Sequence, residues 1–169
     1  MGIPAGPYLG ASVGPNRVRS VAWRSVRSPD PRGGSDYEAL LQTAEFDRSD
    51  VGFAGMMIRC RNQKLETIFV VLQPLPPGTQ ARVTISTEGV NQVYDASPIP
   101  TGAGLMVPID IAQDIQIRWR QTRELAVTIK TSETEIKGAV SLEGLRSPLS
   151  RLEAACLSSP PPIEGNGSK

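Results

Sequence analysis
The sequence predicts a mainly β protein, an antiparallel β-sandwich or open barrel of seven to eight short strands closed by one C-terminal α-helix. Three observations predict it. Short segments of alternating or β-branched apolar residues recur along the chain, most cleanly at residues 81–86, 124–130 and 135–142. Sixteen glycines and fifteen prolines break the chain between them, so many positions are turn or loop. A single amphipathic stretch with a proline near its start follows the last alternating segment.

Taken in order, residues 1–19 are rich in Gly and Pro without an apolar period, and read as a flexible arm. Residues 20–157 make one β-rich domain, and residues 158–169 a Pro/Gly/Ser tail. Residues 21–26 alternate loosely, as an edge strand would, and residues 28–34 are a turn-rich connector. Residues 36–44 suit helix or strand, with the balance toward strand before a turn at 47–50. Residues 53–60 form an apolar run, and Arg61 to Lys64 a hairpin-like turn. Residues 65–72 carry apolar residues on both faces, the pattern of a central strand covered on both sides. Pro74, Pro76 and Pro77 end it, since proline cannot donate to a ladder.

Val83 and Ile85 point inward from the next strand. A turn at 88–92 and a short strand at 93–96, bounded by Pro98 and Pro100, come next. Residues 102–108 lead into a segment at 109–117 that has helical character. Leu125, Val127 and Ile129 are the buried positions of one strand, and Ile136, Val140 and Leu142 those of the following one. In the closing helix Ser147 is the expected N-cap and Pro148 the first helical residue. Leu149, Leu152 and Cys156 share one apolar stripe.

Composition narrows function. Lys and Arg total 18 against 17 for Asp and Glu, a net charge of +1 that gives no electrostatic reason for nucleic acid or an anionic membrane as partner. No apolar run approaches the roughly 18 residues of a membrane span. The start of the sequence lacks the basic and apolar regions of a signal peptide, which leaves a cytoplasmic protein or one whose leader is missing here. Charge is uneven near the start: residues 1–35 hold five Arg and one Asp, residues 36–50 five acids and one Arg. Histidine is absent, and with it the commonest general base and metal ligand. No enzyme, cofactor or metal is expected.

The local motifs agree. Gly10, Ser12 and Gly14 match the spacing of a nucleophile elbow, but without a flanking strand, a helix or a His base the match is by chance. Gly102 and Gly104 fit a tight turn rather than a dinucleotide loop. Asp110 and Asp114 lack a third carboxylate at a fixed offset and read as solvated charges. Arg118, Trp119, Arg120 and Arg123 are the densest basic cluster. They form either a binding face for an anionic ligand around the Trp, or a Trp packed inward between outward arginines. Cys60 and Cys156 are the only cysteines. They are either two buried thiols or a disulfide tying the last helix to the sheet, with the disulfide favoured.

From Gly55 to Leu157 the sequence resembles small proteobacterial periplasmic proteins of the invasion-associated locus B family, with a looser similarity to the type VI secretion-associated VasI family. Carrying the resemblance are Ile58, Arg59 and Cys60 leading into a strand; Gly104 to Pro108; and Val140 to Leu145 followed by Leu149 to Leu152. The sequence lacks the further cysteine pair that the invasion-associated proteins usually carry near Gly102 to Met106. The resemblance implies an exported β-domain and no catalytic residues. The expected function is therefore a non-catalytic, periplasmic or secreted domain that binds an unknown protein partner in a bacterial envelope or host-contact assembly. The alternatives are a structural subunit of a larger complex and a cytoplasmic enzyme using Glu66, Glu124 or Glu143.

Overall fold
The computed structural model describes Gly2 and residues 22–29 and 36–158. The expected arm at 1–19 apart from Gly2, the Gly10 to Gly14 motif, most of the 28–34 connector and the tail beyond residue 158 lie outside the described residues. Among the described residues nine antiparallel strands form one open sheet: β1 (Arg24–Ser28), β2 (Tyr37–Thr43), β3 (Phe53–Arg61), β4 (Lys64–Val71), β5 (Ala81–Thr87), β6 (Val90–Pro98), β7 (Gly104–Val107), β8 (Glu124–Lys130) and β9 (Glu135–Ser141). Their order across the sheet is β1-β2-β3-β4-β7-β6-β5-β8-β9. Among the described residues two α-helices, α1 (Ile111–Gln116) and α2 (Arg146–Ser158), and one 3-10 turn at Phe46–Arg48 accompany them. The mainly β architecture and the C-terminal helix are as the sequence predicts.

The count of strands is one higher than predicted, and the extra strand is β7. Its four residues follow a glycine turn and precede Pro108, so locally they read as a connector. Non-local pairing makes them a strand, with Thr67 to Val70 of β4 on one side and Ser97 and Pro98 of β6 on the other. β6 begins at Val90, three residues earlier than expected, because the turn before it is only Glu88 and Gly89. Both sit at positive φ (46° and 84°), the geometry of a tight two-residue hairpin. Asn62 and Gln63 make the equivalent turn between β3 and β4, at φ 50° and 60°.

β6 is also where the sheet changes direction. Residues 90–96 pair with β5, while only Ser97 and Pro98 pair with β7. The sheet thereby folds over, and its two halves enclose one core. Phe69, Ile85, Leu105, Val127, Ile129 and Trp119 meet in it. Phe53 of β3 reaches across to β9, where Gly138 leaves room for its ring; a Cβ at Gly138 would overlap that ring. The β2–β3 loop then seals the edge of β9. The Glu45 and Asp50 N–H groups donate to the Ala139 and Lys137 carbonyls (both 2.8 Å). Ser49 Oγ and the Asp50 carboxylate accept from the Ala139 and Lys137 N–H groups (3.0 and 2.7 Å). An otherwise unpaired edge is satisfied without a tenth strand.

In β4, Thr67, Ile68 and Phe69 are all buried in succession, as a strand in mid-sheet with both faces covered requires. Helix α2 packs its stripe of Leu149, Leu152 and Cys156 over the inner face, against β2, β3 and β4. Its start differs from the expected one. The helix begins at Arg146, so Ser147 is its second residue and not the N-cap, and Pro148 its third. Proline is still tolerated there because the N–H groups of the first turn have no partner within the helix.

Candidate functional site
Two regions bear on function: the disulfide with the surface around it, and the arginine cluster. Cys60 lies near the end of β3, on the same face as Met56 and Ile58, and Cys156 lies on the buried stripe of α2. They form a disulfide with Cα atoms 5.5 Å apart and a sequence separation of 96. Local patterns bring them together: the period of two along β3 and the i, i+3, i+7 stripe of α2 both aim sulfur at the seam between helix and sheet.

The arginine cluster takes the second of its two readings. Trp119 is 1% exposed and belongs to the core, so its ring cannot stack on a ligand; of the two readings, the inward Trp is the observed one. Arg120 and Arg123, which follow it, are exposed. Their main chains are structural: the Arg120 carbonyl accepts from Arg146 at the start of α2, and the Arg123 carbonyl from the Leu142 N–H at 2.7 Å. Arg118 turns back on the protein. It pairs with Asp114 at 3.3 Å and donates to Tyr94 Oη at 3.3 Å. The Gln92 carboxamide completes the group. Its nitrogen donates to Tyr94 Oη (3.1 Å), and its oxygen accepts from Arg118 Nε and Nη1 (3.0 and 2.8 Å).

Asp114 is therefore not the solvated charge expected. It is buried, and burial raises its carboxyl above the usual range, with Asp110 adding to the rise and Arg118 opposing it. The Tyr94 phenol is raised by burial and by Asp114, against Arg118. Asp110 caps α1, accepting from the Gln113 N–H at 3.1 Å. Among the described residues no three Cys, Asp or Glu side chains gather as a metal site would require. No helix among them is long and apolar enough to cross a membrane.

The surface beside the disulfide holds what sequence reasoning missed. A cleft of about 390 Å³ opens between β4 and β6, lined by Arg61, Lys64, Leu65, Glu66, Asp95 and Met106 among others. A second, of about 370 Å³, shares Lys64, Leu65, Pro108 and Ile109 with it and continues to Cys156 and the exposed Leu157. Next to them Arg59 is buried against the sheet. Its Nε donates to Glu66 at 2.7 Å and its guanidinium lies 5.6 Å from the Tyr37 ring centre. The signal in the sequence was weak: Arg59 and Arg61 alternate with apolar residues along β3, but nothing local shows that Glu66 faces the first and Lys64 the second. No family model, curated protein or solved structure matches the chain.

Proposed function
We propose that this chain is a non-catalytic, extracytoplasmic β-domain that acts by binding another protein within a bacterial envelope or host-contact assembly. The observation that carries the reading is the Cys60–Cys156 disulfide. A bond of this kind persists in oxidising compartments and is rare in the cytosol. The resemblance of residues 55–157 to periplasmic proteins of the invasion-associated locus B family points the same way. Binding is favoured over catalysis because the sequence offers no His, and the most strongly engaged polar group, Asp114 with Arg118, Tyr94 and Gln92, spends its hydrogen bonds internally. A concave surface lies elsewhere, between β4 and β6.

Cell fractionation of the natural host, together with a screen of the pure protein against ester, phosphate, glycoside and peptide substrates, tests this. The expected result is protein in the envelope or medium and no turnover. Protein confined to the cytosol, or saturable turnover abolished by one Ser or Glu substitution, contradicts it.

A further inference from the structure
The cleft between β4 and β6 has the form of an empty strand position. In the β3–β4 hairpin, Arg61 and Lys64 flank a two-residue turn and are thus a hydrogen-bonded pair. Alternation then directs the N–H and C=O of Leu65, Thr67, Phe69 and Val71 away from β3. The Val71 N–H does reach the Ala103 carbonyl on that side, at 3.0 Å. Thr67 is paired with Val107, but β7 stops there. Pro108 has no N–H, and the Ile109 N–H folds back onto the Val107 carbonyl (2.9 Å) as the chain turns into the core. Leu65 is left with no ladder partner on that edge among the described residues.

The same reasoning applies across the cleft. Thr87 and Val90 flank the other two-residue turn, so Val90, Gln92, Tyr94 and Ala96 bond to β5, while Val93, Asp95 and Ser97 face away from it. Ser97 meets Met106 of β7, and Val93 and Asp95 lie beyond its end. The Leu65 edge and the Asp95 edge thus flank the space that β7 would fill if it continued. Leu65 and Asp95 both line that one cleft.

The charges at this place are unequal. Glu66 is neutralised by Arg59 at 2.7 Å, and Asp95 lies 3.8 Å from Arg82. Arg61 and Lys64, at the turn end of the cleft, have no ion-pair partner among the described residues. Val93 (56%) and Met106 (38%) supply exposed apolar surface beside it.

We propose that the space between β4 and β6 beyond the end of β7 is a strand-addition site for an extended segment of a partner polypeptide, with acidic residues where that segment leaves the cleft past Arg61 and Lys64. Main-chain groups of the guest bond to Leu65 on one side and to Val93 and Asp95 on the other. One of its apolar side chains lies against Val93 and Met106, and its carboxylates meet the two free cations. The proposal rests on the reading that the chain works by binding, and names the chemistry of the partner.

The probes are two synthetic peptides of alternating valine and threonine, one carrying a pair of glutamates at its N-terminus and the other at its C-terminus. Binding and amide exchange are followed by NMR on the full, disulfide-bonded chain. One of the two is expected to bind saturably and to slow exchange at the Leu65, Val93 and Asp95 amides, with its lysine-ended counterpart about tenfold weaker. Backbone N-methylation of the peptide should abolish binding. Asp95→Pro removes a donor that β5 does not use and should abolish it too. Should that variant not fold, the pair Arg61→Glu and Lys64→Glu is read instead, and it should reverse the preference from glutamate-ended to lysine-ended peptide. Absence of saturable binding by both glutamate peptides, or binding that leaves those three amides unchanged, overturns the proposal. An exported, bridged protein that binds neither peptide removes the strand site alone; a peptide-binding protein found reduced in the cytosol removes the compartment alone.

Discussion

Replacing both Cys60 and Cys156 by alanine should lower stability by several kcal/mol without changing the fold. The two residues are 96 apart, so the bond closes a loop of close to a hundred residues. In the chain-entropy treatment a loop of that size removes about 16 cal/mol/K from the unfolded state, or about 4.7 kcal/mol at 25 °C. That is about 30% or more of the roughly 5–15 kcal/mol that holds a typical domain folded. For a domain of this size it corresponds to a fall in melting midpoint of roughly 10–20 °C. Cys156 is 2% exposed, so alanine is the better replacement than serine, which would bury an unpartnered hydroxyl at the helix seam. The assay is thermal unfolding by circular dichroism, oxidised and after reduction, on the native chain and on the double variant. Reduction should lower the native midpoint nearly to that of the variant and leave the variant unmoved. A native midpoint that reduction shifts by less than about 3 °C would refute the argument, since a bond closing so long a loop cannot be thermodynamically silent.

Gly138→Ala should destabilise by about 1–3 kcal/mol in chemical denaturation, because its methyl overlaps the Phe53 ring, and Phe53→Leu in the same chain should recover part of the loss. Trp119→Ala should cost about 3–5 kcal/mol, as loss of a buried aromatic does, whereas Arg120→Gln and Arg123→Gln should each stay within about 0.5 kcal/mol. A small effect at Trp119 would show that its ring is not part of the core. The Asp114 carboxyl is raised in the folded protein, so between its unfolded and folded values the folded state holds more protons and its contribution to stability falls as pH rises. Asp114→Asn removes that dependence: measured by denaturation from pH 3 upward, the variant should gain on the native protein as pH rises through this window, and a difference that moves the other way contradicts the burial argument.

How much was legible in the sequence follows from which interactions are local. β8 is fully specified by its own alternation, and Leu125, Val127 and Ile129 are buried as read. The continuous run of β4 announces a covered strand, and Thr67, Ile68 and Phe69 are buried side by side. The stripe of α2 is local as well, and its Cys156 meets Cys60. β7 was not legible, because four residues between a glycine turn and a proline become a strand only through β4 and β6. α2 starts before its Ser-Pro step: the Leu149 N–H already donates to the Leu145 carbonyl, and the Arg146 side chain reaches the Arg120 carbonyl of a distant loop. Asp114 looked solvated because its partner Arg118 is held by Tyr94 and Gln92, twenty or so residues upstream. The strand-shaped cleft is the least visible feature of all. It exists because β7 is shorter than the strands on either side of it, which no single segment records.

The most direct test of the central claim, that this is a disulfide-locked domain of an oxidising compartment, is the state of the two cysteines in the living cell. Acid quenching of the natural host, alkylation of free thiols and mass spectrometry of the non-reduced digest read it without purification under air. The account predicts one peptide linking Cys60 to Cys156 and no alkylated form of either. Two freely alkylated cysteines in protein taken directly from its cell would contradict it.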